Sequence, residues 1–142
     1  DRSEVHSAVD HLFGLYRVKR MYCDPPYWQT EIEGWARKYG DNTVIPWETY
    51  RPTQMHSACE RFLTDLKTGT LTHDGCPITA THMANTRKAA RPGERYVLSK
   101  PVGALHQKID AAVTSVICHE AACDARADGW KPRSPARVVV MG

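Results

Sequence analysis

Apolar residues recur along this chain first at helical spacing and then in short β-branched runs, and the two patterns alternate. Val5, Val9, Leu12, Phe13 and Tyr16 fall four, three, one and three residues apart, which puts them on one face of a helix over Glu4–Tyr16. That face predicts a buried stripe, with Ser3 placed to cap the helix. Tyr16 to Cys23 then carries the aromatic and β-branched content of a strand. It stops at Asp24-Pro25-Pro26, since proline cannot donate to a ladder.

Trp28, Ile32, Trp35, Ala36 and Tyr39 predict a second helix, ended by Gly40. Thr43 to Trp47 predicts a second strand. Met55, Cys59, Phe62, Leu63 and Leu66 predict a third helix, capped by Thr53 and closed by Gly69. Pro77 to Thr86 predicts a short helix beginning on proline. Arg87 to Gly93 reads as a polar loop and Tyr96 to Leu98 as a strand. From about Ala104 to Ala127 there is no Gly or Pro, and Ile109, Ala112, Val113, Val116, Ile117 and Ala121 form a broad apolar face. Strands alternating with helices indicate an α/β architecture. Residues 1–128 form one domain, and 129–142 a basic tail broken by Pro132 and Pro135.

The 142 residues suffice for one domain, and 42% hydrophobic with 25% charged residues is a globular balance. No apolar run approaches the roughly 20 residues of a membrane-spanning helix. The start, Asp1-Arg2-Ser3-Glu4, lacks an initiator Met and a signal-peptide pattern, and reads as a cut inside a longer chain. A net charge of +3 permits contact with nucleic acid without requiring it.

Two acids stand out by position. Asp24 closes a strand before a proline stop, at the sheet rim where open α/β folds bind ligands. Asp110 opens the most apolar helix on the face of Val113 and Ile117, which predicts a carboxylate turned toward the packed side. A buried carboxylate requires a positive partner, supplied in part by the helix N-terminus and otherwise by a divalent cation. A capping role for Asp24 and a first-turn role for Asp110 are the plainer alternatives.

Other chemistry finds less support. Five scattered cysteines without a C-x-x-C pair argue against a zinc ribbon or a disulfide framework. Cys118 and Cys123 flank His119, but five residues apart on a helix their thiols diverge, so both read as packing residues. His73, His82 and His106 show no H-x-x-x-H or H-E-x-x-H spacing. Neither a G-x-S-x-G elbow nor a phosphate-binding P-loop occurs. Arg87, Lys88, Arg91, Arg95 and Lys100 cluster, with a smaller group at Arg17, Lys19 and Arg20, and either could follow a phosphate backbone or form a solvated surface.

The ordered segments resemble a known family. Val18 through Asp24-Pro25, Trp28 and Trp35-Ala36-Arg37-Lys38-Tyr39-Gly40 resemble the strand–DP–helix passage of phage terminase large subunits of the actinophage type. Arg61-Phe62, Leu66, Gly69 and Leu71-Thr72-His73-Asp74-Gly75 resemble its "G-x-L-x-H-x-G" stretch. His82-Met83-Ala84-Asn85, Leu98-Ser99-Lys100 and Lys108-Ile109-Asp110-Ala111-Ala112 resemble its "H-x-x-N", "x-x-K" and "K-I-D-A-A" passages.

The resemblance implies an RNase H-like nuclease fold, here lacking its opening strands. It implies a metal-dependent endonuclease, using a two-ion Mg²⁺ or Mn²⁺ site, that cuts concatemeric double-stranded DNA during viral genome packaging. Asp24 and Asp110 match two of the family's three acids; the first acid has no counterpart here, so this stretch alone is expected to be inactive. His73 is implied near the site or as a loop-holding residue, and Lys100 and Lys108 as possible phosphate contacts. ATP belongs to the motor's separate ATPase domain. The implied partners are DNA, the small subunit and the portal protein, in the host cytoplasm. A resolvase- or transposase-type nuclease, or a non-catalytic module docking DNA or portal, are the alternatives.

Overall fold

Helix α1 (Arg2–Leu15) begins on Asp1, whose carboxylate accepts the Ser3 N–H at 3.0 Å, so Asp1 rather than Ser3 is the cap. The computed structural model describes residues 1–131; of the predicted tail, 129–142, residues 132–142 lie outside them. Of the predicted stripe on α1 only Val9 is buried and Phe13 half-buried, while Val5, Leu12 and Tyr16 are exposed. The cause is its narrow partner. Val9 meets Ile32, Trp35 and Val44, and Phe13 stacks on Tyr39, its ring centroid 3.8 Å away.

The predicted strand from Tyr16 shortens to β1 (Met21–Cys23). It pairs in parallel with the equally short β2 (Val44–Pro46), Tyr22 opposite Ile45, and a ladder extends no further than its partner. Helix α2 (Gln29–Tyr39) joins them and ends at Gly40, whose φ of 104° suits glycine. Helix α3 (Pro52–Thr68) starts one residue before the predicted cap, with Pro52 in the first turn. It ends at Gly69 in the left-handed conformation, as its sequence predicts.

Helix α4 (Pro77–Asn85) leads into a hairpin where a loop was expected: β3 (Arg87–Arg91) pairs antiparallel with β4 (Arg95–Ser99). The polar composition of β3 misleads because most of its side chains face water; Ala89 alone is half-buried and packs against the core. Helix α5 (Asp110–Ala127) is shorter than predicted. Pro101 and Gly103, at φ 75°, start a series of turns that delays the helix.

The main core gathers Met55, Cys59 and Phe62 of α3, Tyr96 and Val97 of β4, Val116 and Ile117 of α5, and Trp47. Val9, Ile32, Trp35 and Val44 form a second cluster. The described residues are thus mixed α/β, with five helices and two small sheets. No described helix is long and apolar enough to cross a membrane.

Candidate functional site

Parallel pairing brings the carboxyl ends of β1 and β2 side by side, and Asp24 lies just beyond that edge. Its two oxygens accept from Thr49, one from the backbone N–H at 3.2 Å and the other from the hydroxyl at 2.7 Å. Thr49 follows β2, so the partner comes from the neighbouring strand's own exit. The carboxylate is held in a fixed orientation while its residue stays half-buried. Three residues on, Tyr27 adopts φ 67°, a left-handed conformation that bulky residues seldom take.

Asp110 is the first residue of α5, and it is exposed. This corrects the expected burial. The buried residues of α5 include Ala112, Val116, Ile117, Glu120 and Ala121, and Asp110 shares the angular position of Ile117 and Ala121. It is exposed because it stands at the first residue of the helix, one turn or more before them. The carboxylate therefore needs no buried counter-charge, and the helix N-terminus favours it there.

Two residues of α4 hold the segment around Asp110. His82 Nδ1 accepts the Ala111 N–H at 3.0 Å, and Asn85 Nδ2 donates to the Lys108 carbonyl at 2.9 Å. These are the two polar ends of the H-x-x-N stretch. Their i, i+3 spacing put both on one helical face, but nothing local marked the segment they would meet.

Arg20 pairs with Asp128 at 2.7 Å and the Tyr22 hydroxyl donates to Asp124 at 2.6 Å, so β1 runs antiparallel to α5. The carboxyl end of β1 is thereby directed toward the N-terminal half of α5. From those contacts, strand and helix rises leave Asp24 and Asp110 about 14 Å apart along the helix axis. No described contact joins them.

The basic residues separate. Antiparallel register sets Arg91 opposite Arg95 and Arg87 opposite Ser99, so pleating puts the three exposed arginines on one face of the hairpin. Lys88 belongs to the other face, 3.6 Å from Glu60 and above the Tyr96 ring at 4.2 Å. Lys100 is tied to the Leu105 carbonyl at 2.9 Å, and Lys108 is exposed. His73 is exposed, and its Nδ1 accepts the Gly75 N–H at 3.1 Å, a bond within its own turn. Of the smaller group, Arg20 is the one engaged by Asp128, while Arg17 and Lys19 line an open cleft with Phe13, Tyr16, Tyr39 and Trp130.

Among the described residues one trio of potential metal ligands converges: Asp65, His119 and Cys123. His119 and Cys123 share a face of α5, and Asp65 reaches them from α3. The spacing of His119 and Cys123 was visible in the sequence; their partner lies 54 residues away. Asp24 and Asp110 belong to no such trio.

The chain is similar to bacteriophage proteins. It is 24% identical over 132 residues to the Gene 13 protein of Mycobacterium phage D29 and, to the same extent, to the Gene 13 protein of Mycobacterium phage L5. Each match covers 87% of this chain and 22% of the relative, so the chain spans about a fifth of the curated proteins it matches. No family model matches it, and no solved structure does.

Proposed function

We propose that this chain contributes to a metal-dependent endonuclease of the phage terminase large-subunit type, with an RNase H-like fold. The observation that carries the reading is the position of Asp24, a carboxylate oriented by Thr49 at the carboxyl end of a parallel strand pair. The ordered resemblance of its segments and its similarity to phage proteins support it.

Asp24 and Asp110 would hold Mg²⁺ or Mn²⁺, since both offer hard oxygen donors that water can reach. Bound ions would activate water and stabilise the leaving oxygen of a phosphodiester. The protein's own contribution is to orient Asp24 through Thr49, to anchor the start of α5 through His82 and Asn85, and to offer Arg87, Arg91 and Arg95 to the DNA backbone. Genome packaging in the host cytoplasm, with the small subunit and portal as partners, belongs to the same proposal.

The test is plasmid nicking by the purified protein, expressed with any sequence that flanks these residues in its gene. Cleavage in Mn²⁺ that EDTA abolishes supports the reading. DNA binding without cleavage in either Mg²⁺ or Mn²⁺ favours a docking module instead.

A further inference from the structure

Helices α3 and α5 pack against each other beneath the hairpin, and most of the contact is apolar. At one point three side chains of different chemistry meet. His119 Nε2 lies 2.8 Å from Asp65 Oδ2, and Cys123 Sγ lies 3.7 Å from that same nitrogen. The imidazole is only 8% exposed, and the Phe62 ring meets it edge-on at 5.6 Å, which fixes its plane. Asp65 is 28% exposed and Cys123 half-buried, so the cluster opens to solvent on one side.

We propose that Asp65, His119 and Cys123 form a three-ligand site for a borderline divalent cation of the Zn²⁺ class, tying α3 to α5. The residue types suit it: imidazole nitrogen, thiolate sulfur and carboxylate oxygen are the usual zinc donors. So does the spacing. His119 and Cys123, four residues apart, project from one helical face, and all three ligand atoms lie within 4.8 Å of one another.

Tetrahedral coordination at about 2.0–2.3 Å separates ligand atoms by roughly 3.3–3.7 Å. The sulfur–nitrogen distance of 3.7 Å already meets that, and the 2.8 Å Asp65–His119 contact has to open by about half an ångström. In the apo protein a proton on that bond takes the place of the metal; binding expels the imidazole or carboxyl proton and the Cys123 thiol proton. A water completes the four positions.

A cysteine nucleophile is the rival reading of the same three residues, and the geometry disfavours it. In a Cys-His-Asp relay the two ring nitrogens serve different partners. Here acid and sulfur both approach Nε2, and Nδ1 is farther from the sulfur, at 4.0 Å. Convergence on one atom is the arrangement of a coordination site. It also stands apart from Asp110, since twelve residues of α5 lie between Asp110 and Cys123, about 20 Å along the axis.

Titration with Co²⁺, a visible stand-in for Zn²⁺, tests the site. The expected result is one equivalent bound, with tetrahedral d–d bands and a thiolate-to-cobalt charge-transfer band, all displaced by Zn²⁺. Cys123→Ser should remove the charge-transfer band, and Cys118→Ser, on the exposed neighbouring thiol, should keep it. Asp65→Asn, near the surface of α3, should weaken binding at least about tenfold with the helical signal intact. Zn²⁺ at a hundred times its Kd should raise the folding equilibrium constant about a hundredfold. Absence of a charge-transfer band in the wild-type protein, its survival in Cys123→Ser, or full affinity in Asp65→Asn would overturn the assignment. None of these readouts depends on DNA cleavage.

Discussion

His82 Nδ1 accepts the backbone N–H of Ala111 at 3.0 Å, tying the last turn of α4 to the first turn of α5 across 29 residues. The first-turn amides of a helix have no partner within it, so an imidazole acceptor satisfies one of them and fixes where the helix begins. Asp110 is the residue before that amide. Its backbone position is thus inherited from α4.

Replacing His82 therefore loosens the start of α5 before anything else. His82→Ala is expected to cost about 1 kcal/mol, the net worth of one hydrogen bond. Hydrogen exchange should quicken at residues 110–112 and stay unchanged near residues 120–125. Uniform acceleration along α5 would show that the bond has no local anchoring role.

Asp110 itself should behave as a first-turn acid. Its exposure reverses the sign expected of a buried carboxylate: Asp110→Asn in metal-free buffer should lose about 0.3–1 kcal/mol, since the helix N-terminus no longer faces a negative charge. Urea unfolding measures it. A more stable variant would show that the carboxylate is buried after all.

The contrast between Asp110 and the helices shows where the sequence was readable. On α3, Met55, Cys59 and Phe62 recur at helical spacing and Gly69 ends the run, so element, face and stop could all be read locally. Asp110 could not be placed that way, because it shares the periodic face of buried Ile117 and Ala121 and only its place at the first residue of the helix leaves it in water. β3 was missed for a related reason. Its register depends on β4, and Arg87, Lys88 and Arg91 face solvent, so no apolar alternation marks it. The Asp65–His119–Cys123 cluster needed a contact between two helices that no local pattern encodes.

On the hairpin, register separates the arginines from Lys88. If DNA follows Arg87, Arg91 and Arg95, neutralising all three should flatten the slope of log affinity against log salt by about 2.7, at about 0.9 per phosphate. Lys88→Ala should change that slope much less, because Lys88 is occupied by Glu60. Equal effects from Lys88 and from a single arginine would place the DNA on both faces.

Glu120 provides the pH test of the core. Burial, partly offset by Arg61 3.6 Å away, holds its carboxyl above the ordinary glutamate value. The folded protein thus keeps this proton more tightly than the unfolded chain does. Its contribution to stability is greatest below the unfolded value and declines as pH rises through the higher folded one. Glu120→Gln should remove that decline, so that melting temperatures of variant and parent converge in acid and the variant melts no lower at neutral pH. A variant that melts lower at neutral pH would mean that the Arg61 pairing outweighs the burial.

The pairing of Asp24 with Asp110 is most directly tested by following Mn²⁺ binding and plasmid nicking together in Asp24→Asn and Asp110→Asn, each in the protein with its native flanking sequence. Both variants should keep the parent's circular dichroism, bind Mn²⁺ more weakly and lose cleavage by at least about a hundredfold, the scale of losing about 2.7 kcal/mol of transition-state stabilisation. Wild-type cleavage in either variant would contradict the assignment of that acid, and wild-type cleavage in both would contradict the site.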